Sequence, residues 1–348
     1  MPRVRCFKVY GHFKRMTDST GIIQFSDKSR PLVESGYTVD DNARALIVAM
    51  GMEERERERL IKTYTSFLQE AQNQDGTWQN LKVHDKYYTV INSEDSIGRG
   101  VLAASFAASC SIAEIQKIAR KMLRRVMPRA VQVNSPRAIA YVLMGVVKMI
   151  ASLKCKYMIP QAKYLAYKLL NLYELNRSTS WHWFEDRMTY CNAVLPHALF
   201  GFYAVSEDGK VLTAAKNTLN FLANSLFQKG YLNIVGNRGW WLKKNQIPPY
   251  DQQPVDAASV VLACLQAYAV TAEREYIETA KLAYDWYWGK NINNVPLYNE
   301  KTEGCHDALV PNGVNLNQGA EAVISFLMAH QVLHDIEAKR DELLIPAV

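Results

Sequence analysis

Carboxylic acids recur in this sequence just ahead of apolar runs. "GYTVDDNARAL" (36–46) supplies Asp40, Asp41, Asn42 and Arg44, and "EDSIGRGVLAASFAAS" (94–109) supplies Glu94, Asp95 and Arg99. Asn134, Ser135 and Arg137 follow, then Glu185, Asp186, Tyr190 and Asn192. Asp251, Gln252, Gln253 and Asp256 form a fifth group, and Asn315, Asn317, Gln318 and Glu321 a sixth. Two facing carboxyl groups, one protonated and one ionised, can protonate a leaving oxygen and activate water. Amides and arginines beside them can hold hydroxyl groups. Left unpaired and buried, such acids would cost several kcal/mol each, so they require partners or a ligand.

Aromatic residues lead into these groups: Trp78 in "QNQDGTWQN", Tyr87 and Tyr88, Trp181 and Trp183 in "STSWHWFEDRMTY", and Trp240 and Trp241 in "GNRGWW". A single aromatic is usually core, but flat apolar faces among carboxylates and amides suit the C–H faces of a sugar ring. Among the acids, Glu185, flanked by Trp183 and Phe184, is the expected proton donor, because a general acid keeps its proton in apolar surroundings away from arginine. Asp40 and Asp95 are the expected ionised bases, each four residues before an arginine on the same helix face, Arg44 and Arg99. Asp256 is the reserve catalytic residue. Expected substrate contacts are Asp41, Arg44, Trp78, Glu94, Arg99, Trp181, Trp183, Tyr190, Asn192, Gln252, His306, Asp307, Asn317, Gln318 and Glu321. A sugar epimerase or lyase would instead move protons with His or Tyr, and His182 and His306 are the residues for that role. A glycan-binding module without catalysis is the third alternative.

Part of this polarity is helix-capping chemistry. Thr38 with Asp41 makes a capping box, Ser135 precedes Pro136 as N-cap, and Asn317 can cap the last helix. Other chemistries lack their motifs: there is no GxGxxG, Walker loop, GxSxG or HExxH, so no cofactor is expected. His330 and His334 share a helix face without a third ligand, and the six cysteines are widely spaced, so no metal site is expected. Cys191, with His182 and His197 nearby in sequence, reads as a packed thiol before a nucleophile.

The elements that must position these groups alternate in character. Six helices open polar and continue apolar nearly all round, starting near 40, 94, 135, 189, 254 and 318, as buried helices do. Amphipathic helices at about 53–72, 111–127, 159–175, 208–228 and 272–289 lie between them, and a spacing of about 40–65 residues is that of a helical-hairpin repeat. The expected architecture is all-α, an (α/α)6 toroid spanning 1–348 as a single barrel, with an open solenoid as the alternative. The sixth outer helix would come from 334–345 or from 3–16. All six polar openings then meet at one end.

Composition agrees with a globular chain: 348 residues, 49% hydrophobic and 22% charged. The basic N-terminal stretch is followed by no apolar segment, so a cytoplasmic protein without membrane partners is expected. The net charge of +7 is spread along the chain. Its densest stretch, "KIARKMLRRVMPRA" (117–130), reads as a solvated outer helix face, and no nucleic-acid partner is expected.

Several long runs carry a family resemblance: "DSTGIIQF...GYTVDDNARAL", "QNQDGTWQN...SEDSIGRGVLA", "WHWFEDRMTYCNAVLPHAL", "YDQQPVDAASVV" and "PLYNEKTEGCHDALVPNGVNLNQGAEAVISFL". Over about residues 17–333 the chain resembles the glycosidase-like (α/α)6 toroid domain found alone or attached to family 4 glycosyltransferases. That resemblance implies carbohydrate metabolism, a short oligosaccharide substrate, mannose-containing ones among them, and a glycosyltransferase or other carbohydrate enzyme as partner. The chain departs from the family pattern where "TYDNA" is replaced by Thr189-Tyr190-Cys191-Asn192-Ala193, and "GAES" by Gly319-Ala320-Glu321-Ala322.

Overall fold

The structure, a computed structural model, describes residues 9–53, 55–90 and 94–344, by backbone alone from 337 onward. Six apolar helices form an inner ring: α2 (Val39–Met50), α4 (Glu94–Ala107), α6 (Pro136–Leu153), α8 (Val194–Ser206), α10 (Pro254–Thr271) and α12 (Ala320–Leu344). Each packs on the next, and α12 returns to pack on α2, so the ring is closed and the chain is an (α/α)6 toroid. Closure buries the apolar faces of all six inner helices on one another. In α10, for example, nearly every residue from Pro254 to Ala267 is buried. By length and composition α6 and α10 could each cross a membrane, but most of each is buried within the ring.

Glycines set the tightest approach, between α4 and α6. A Cβ on Gly98 would stand 2.9–3.1 Å from Tyr141 and the Ala138 backbone, and one on Gly145 would stand 2.9 Å from Val101. Without side chains there, the two backbones pack at a distance that any larger residue would prevent.

The outer helices are α3 (Arg57–Ala71), α5 (Ala113–Ala130), α7 (Ile159–Asn176), α9 (Gly209–Leu226) and α11 (Arg274–Asp285). In α5 the buried residues Ile115, Ala119, Met122, Leu123, Val126 and Ala130 follow helical spacing. Lys117, Arg120, Lys121, Arg124 and Arg129 are exposed, as expected of a solvated face. The sixth outer position goes to the short α1 (Gly11–Arg15), packed on α12; residues 3–8 of the expected N-terminal helix lie outside the described residues. The alternative, 334–345, does not turn back, because its described residues continue α12 without a break.

Inner-to-outer turns are short. Glu207 and Ala272 each end a helix in the left-handed conformation (φ 54° and 58°) within two residues of the next helix, and Asp208 caps α9 by accepting from the Lys210 N–H. Apart from 131–135, the return connections are long, and those at 72–90, 177–193, 227–253 and 286–319 gather where the inner helices begin. They contain short antiparallel strands, such as Tyr37–Thr38 paired with Leu81–Val83, and Arg187–Met188 paired with Trp241–Leu242. An all-helical reading missed these two- and three-residue pieces.

Candidate active site

Surplus polarity at the helix starts is paired partly along a helix and largely between neighbouring elements. Thr38 and Asp41 form the expected box, with Asp41 N–H donating to Thr38 Oγ1 at 3.0 Å and the hydroxyl donating back to Asp41 Oδ2 at 2.7 Å. The expected pairing of Asp40 with Arg44 is not found. Arg44 bonds Asp41 Oδ1 at 2.9 Å and reaches across the ring to Glu321 Oε2 at 2.8 Å. Asp40 turns to the other neighbour, where Arg99 Nη1 lies 3.3 Å from Oδ1 and Ser96 Oγ donates to Oδ2 at 3.2 Å. Asp95 in turn accepts from Tyr190 OH at 2.6 Å and from Ser135 Oγ at 3.4 Å, not from Arg99. Arg137 on α6 bonds Glu185 at 3.0 Å and Asn192 at 3.2 Å. At the first turn of an inner helix, side chains close to the barrel axis reach neighbouring helices more readily than the next turn of their own.

Glu185 therefore fails the requirement set for a proton donor, since an arginine is in contact with it. Its aromatic neighbours Trp183 and Phe184 are fully buried and point into the core. Asp256 comes nearer to the requirement, being buried and, among the described residues, in no ion pair with an arginine. Burial pushes its carboxyl up to about 7, against the backbone N–H groups of Cys191 and Asn192 and the charge of Arg137, which favour the ionised form. Asp307 is also raised by burial, to about 6, with Glu321 and Asp41 adding to the shift. Glu321 behaves oppositely: burial would raise it, but the charges of Arg44 and Arg99 outweigh that and hold it below the usual carboxylate range.

A cavity of about 360 Å³ opens at this end of the ring, lined by Asp40, Asn80, Asp95, Arg99, Tyr190, Trp240, Gln253, Val255 and Glu321. The Glu321 side chain keeps 43% of its surface open. Five of the residues expected from sequence thus share one cavity: Asp40, Asp95, Arg99, Tyr190 and Glu321. Asp256 adjoins it, immediately after the lining Val255 and itself 6% exposed. A larger groove of about 610 Å³ lies on the outside of the ring between α7 and α9, away from these acids.

The other expected contacts have structural roles. Trp78 is buried against Gly100 and donates to Leu68 O at 2.8 Å. Trp181 is buried on Phe221 and Trp241 and donates to Glu185 O, and Trp183 belongs to the core. Asn192 closes the turn before α8 through Thr189, and that turn starts the helix at Val194, five residues later than expected. Gln252 accepts from Trp286 Nε1 and donates to Asn233 Oδ1 and Pro249 O. His306 is buried beside Leu316 O, and Gln318 is buried between Thr302 and His12. Asn317 accepts from Lys28 N–H, and the N–H before α12, that of Gly319, goes to Asp307 at 2.6 Å, so Asn317 does not cap the helix. Neither His182, packed on Phe221, nor His306 lines the cavity. Cys191 is buried and burial pushes its thiol up to about 12, which excludes a ready thiolate.

Glu94 takes the backbone N–H groups of Asn134 and Ser135 at 2.7 and 2.6 Å and so anchors the start of α6. Glu94→Ala is expected to cost about 1 kcal/mol of stability, as loss of an N-terminal acceptor does; denaturant unfolding measures it, and ligand affinity should be unchanged.

Sequence reasoning passed over Asn80 and Val255, and named Gln253 and Trp240 among the polar and aromatic groups without counting them as substrate contacts. Trp240 carried a signal in Gly239 before it: the chain passes through φ 114° at the glycine and 54° at the tryptophan, presenting the ring at the cavity 6.3 Å from that of Tyr190. Trp240→Ala is expected to weaken binding of a ligand in this cavity about tenfold, or about 1.4 kcal/mol; calorimetric titration checks this.

No known family profile matches the sequence, and no curated protein does. Solved structures do match. A D-mannose isomerase superposes with a TM-score of 0.72 at 15% identity, over 93% of this chain and 94% of that one. The cellobiose 2-epimerase from Spirochaeta thermophila gives 0.72 at 11%, over 95% and 94%. An inactive variant of an α-1,6-mannanase from Salegentibacter sp., with two consecutive aspartates replaced by alanine and α-1,6-mannotetrose bound, gives 0.66 at 9%, over 93% and 95%. At these identities the likeness establishes the (α/α)6 barrel as the fold.

Proposed function

We propose that the protein is a carbohydrate-active enzyme that hydrolyses a glycosidic bond in a short oligosaccharide. The observation that carries this reading is the make-up of the cavity. Its acid–base groups are carboxyls, Asp40, Asp95 and Glu321 with Asp256 adjoining, while none of the seven histidines lines it. Trp240 and Tyr190 add aromatic surface to the same cavity. The named activities of the structural neighbours, isomerisation, epimerisation and hydrolysis of sugars, support a sugar ligand. Consecutive acids also open two inner helices here, Asp40-Asp41 and Glu94-Asp95.

In this mechanism Asp256, protonated near neutral pH, gives its proton to the glycosidic oxygen as the bond to the anomeric carbon breaks. Glu321, kept ionised by Arg44 and Arg99, takes a proton from the water that attacks that carbon. Asp40, Asp95, Asn80 and Gln253 hold hydroxyl groups. A glycosyltransferase or other carbohydrate enzyme is the proposed partner.

An epimerase is the second reading, favoured by the cellobiose 2-epimerase neighbour with a TM-score of 0.72. Proton NMR of a panel of neutral disaccharides and trisaccharides separates the two. Hydrolysis releases a new reducing end, whereas epimerisation changes the reducing unit with the glycosidic bond intact. No change in any sugar would remove both.

A further inference from the structure

We infer that the cavity takes an uncharged, hydroxyl-rich sugar unit and turns away sugars carrying a carboxylate or phosphate. The inference rests on the sugar-binding reading above and names its substrate class. Three carboxylates line the cavity, Asp40, Asp95 and Glu321, against a single cationic side chain, Arg99. That arginine is already engaged by Asp40 at 3.3 Å. Arg44 and Arg137, on the neighbouring inner helices, are engaged as well, Arg44 by Asp41 and Glu321, and Arg137 by Glu185 and Asn192, and Arg238, two residues before the lining Trp240, pairs with Asp251 at 3.2 Å. No cation is left over among the described lining residues to receive an anion.

Hydrogen-bonding capacity points the same way. Ionised carboxylates only accept, so a ligand seated among three of them must bring donors. Hydroxyl groups donate to carboxylates and accept from the amides of Asn80 and Gln253. A uronate or phosphate group only accepts and carries like charge. Asp40 is incompletely compensated, because its Oδ1 receives no hydrogen bond among the described residues and the Arg99 contact lacks hydrogen-bond alignment. Walls of low dielectric concentrate the resulting negative field inside the cavity.

The test is calorimetric titration with three matched ligands: a neutral manno-oligosaccharide, the same compound oxidised at C6 of its terminal unit to a uronate, and the methyl ester of that uronate. The neutral sugar is expected to bind at least ten times more tightly than the uronate, with the ester recovering most of the difference because it restores neutrality at similar size. Asp40→Asn removes one carboxylate and releases Arg99, so it is expected to narrow the neutral-to-uronate ratio severalfold. Equal binding of uronate and neutral sugar overturns the inference and leaves the sugar site standing. An ester as weak as the uronate also overturns it, since size and not charge would then discriminate. Failure of all three ligands removes the sugar-binding reading and this inference with it.

Discussion

Asp256→Asn is expected to lower kcat by about three orders of magnitude, the middle of the range for loss of a general acid. Its pH profile gives the sharper signature. The proton donor works only while protonated, so wild-type activity falls as pH rises through about 7, the value to which burial brings this carboxyl. In the variant that alkaline limb is absent from whatever activity remains. The same group makes an independent prediction about stability. A carboxyl whose folded-state pKa is raised from 3.8 to about 7 stabilises the fold fully below its unfolded value, and this contribution is lost as pH rises from about 4 to about 7. A shift of roughly three units is worth about 4 kcal/mol. Asparagine cannot ionise and keeps an acceptor for the N–H groups of Cys191 and Asn192, so the variant is expected to gain about 4 kcal/mol on wild type at pH 8 relative to pH 4. Urea unfolding at the two pH values reads this directly, and an equal difference at both would show that Asp256 does not titrate as described.

Glu321→Gln is the second large effect, again about three orders of magnitude in kcat. Arg44 and Arg99 hold Glu321 ionised, so the acidic limb of kcat/KM in the wild type lies below the usual carboxylate range and is expected to vanish in the variant. Arg44 keeps Asp41 at 2.9 Å, which leaves the start of α2 paired. A variant with reduced kcat but an unshifted acidic limb would assign that limb to Asp40 or Asp95, and with it the role of base.

The sequence made the ring and its polar end legible through one repeated device, a polar opening on each buried helix. It did not reveal the partners. Spacing arguments pair Asp40 with Arg44 because they see one helix at a time, while the folded chain pairs Arg44 with Glu321, 277 positions away. Residue type also failed to separate core from rim among the tryptophans. Trp78, Trp181 and Trp183 are core side chains, whereas Trp240 reaches the cavity only because the chain turns at Gly239. Glu185 misled for a related reason: its aromatic neighbours in sequence point into the core while its own carboxyl turns to Arg137. Asp256, held in reserve on sequence, has the environment sought for the proton donor, because Cys191 and Asn192 of the turn before α8 fold over it.

The most direct test of the central claim, a sugar site where the six inner helices begin, is a crystal structure of the protein soaked with a neutral oligosaccharide. The account predicts a sugar ring in the cavity, its apolar face toward Trp240, its hydroxyl groups on Asp40 and Asp95, and its anomeric carbon between Asp256 and Glu321. A well-ordered cavity that stays empty of sugar, or a ring bound only in the groove between α7 and α9, would contradict it.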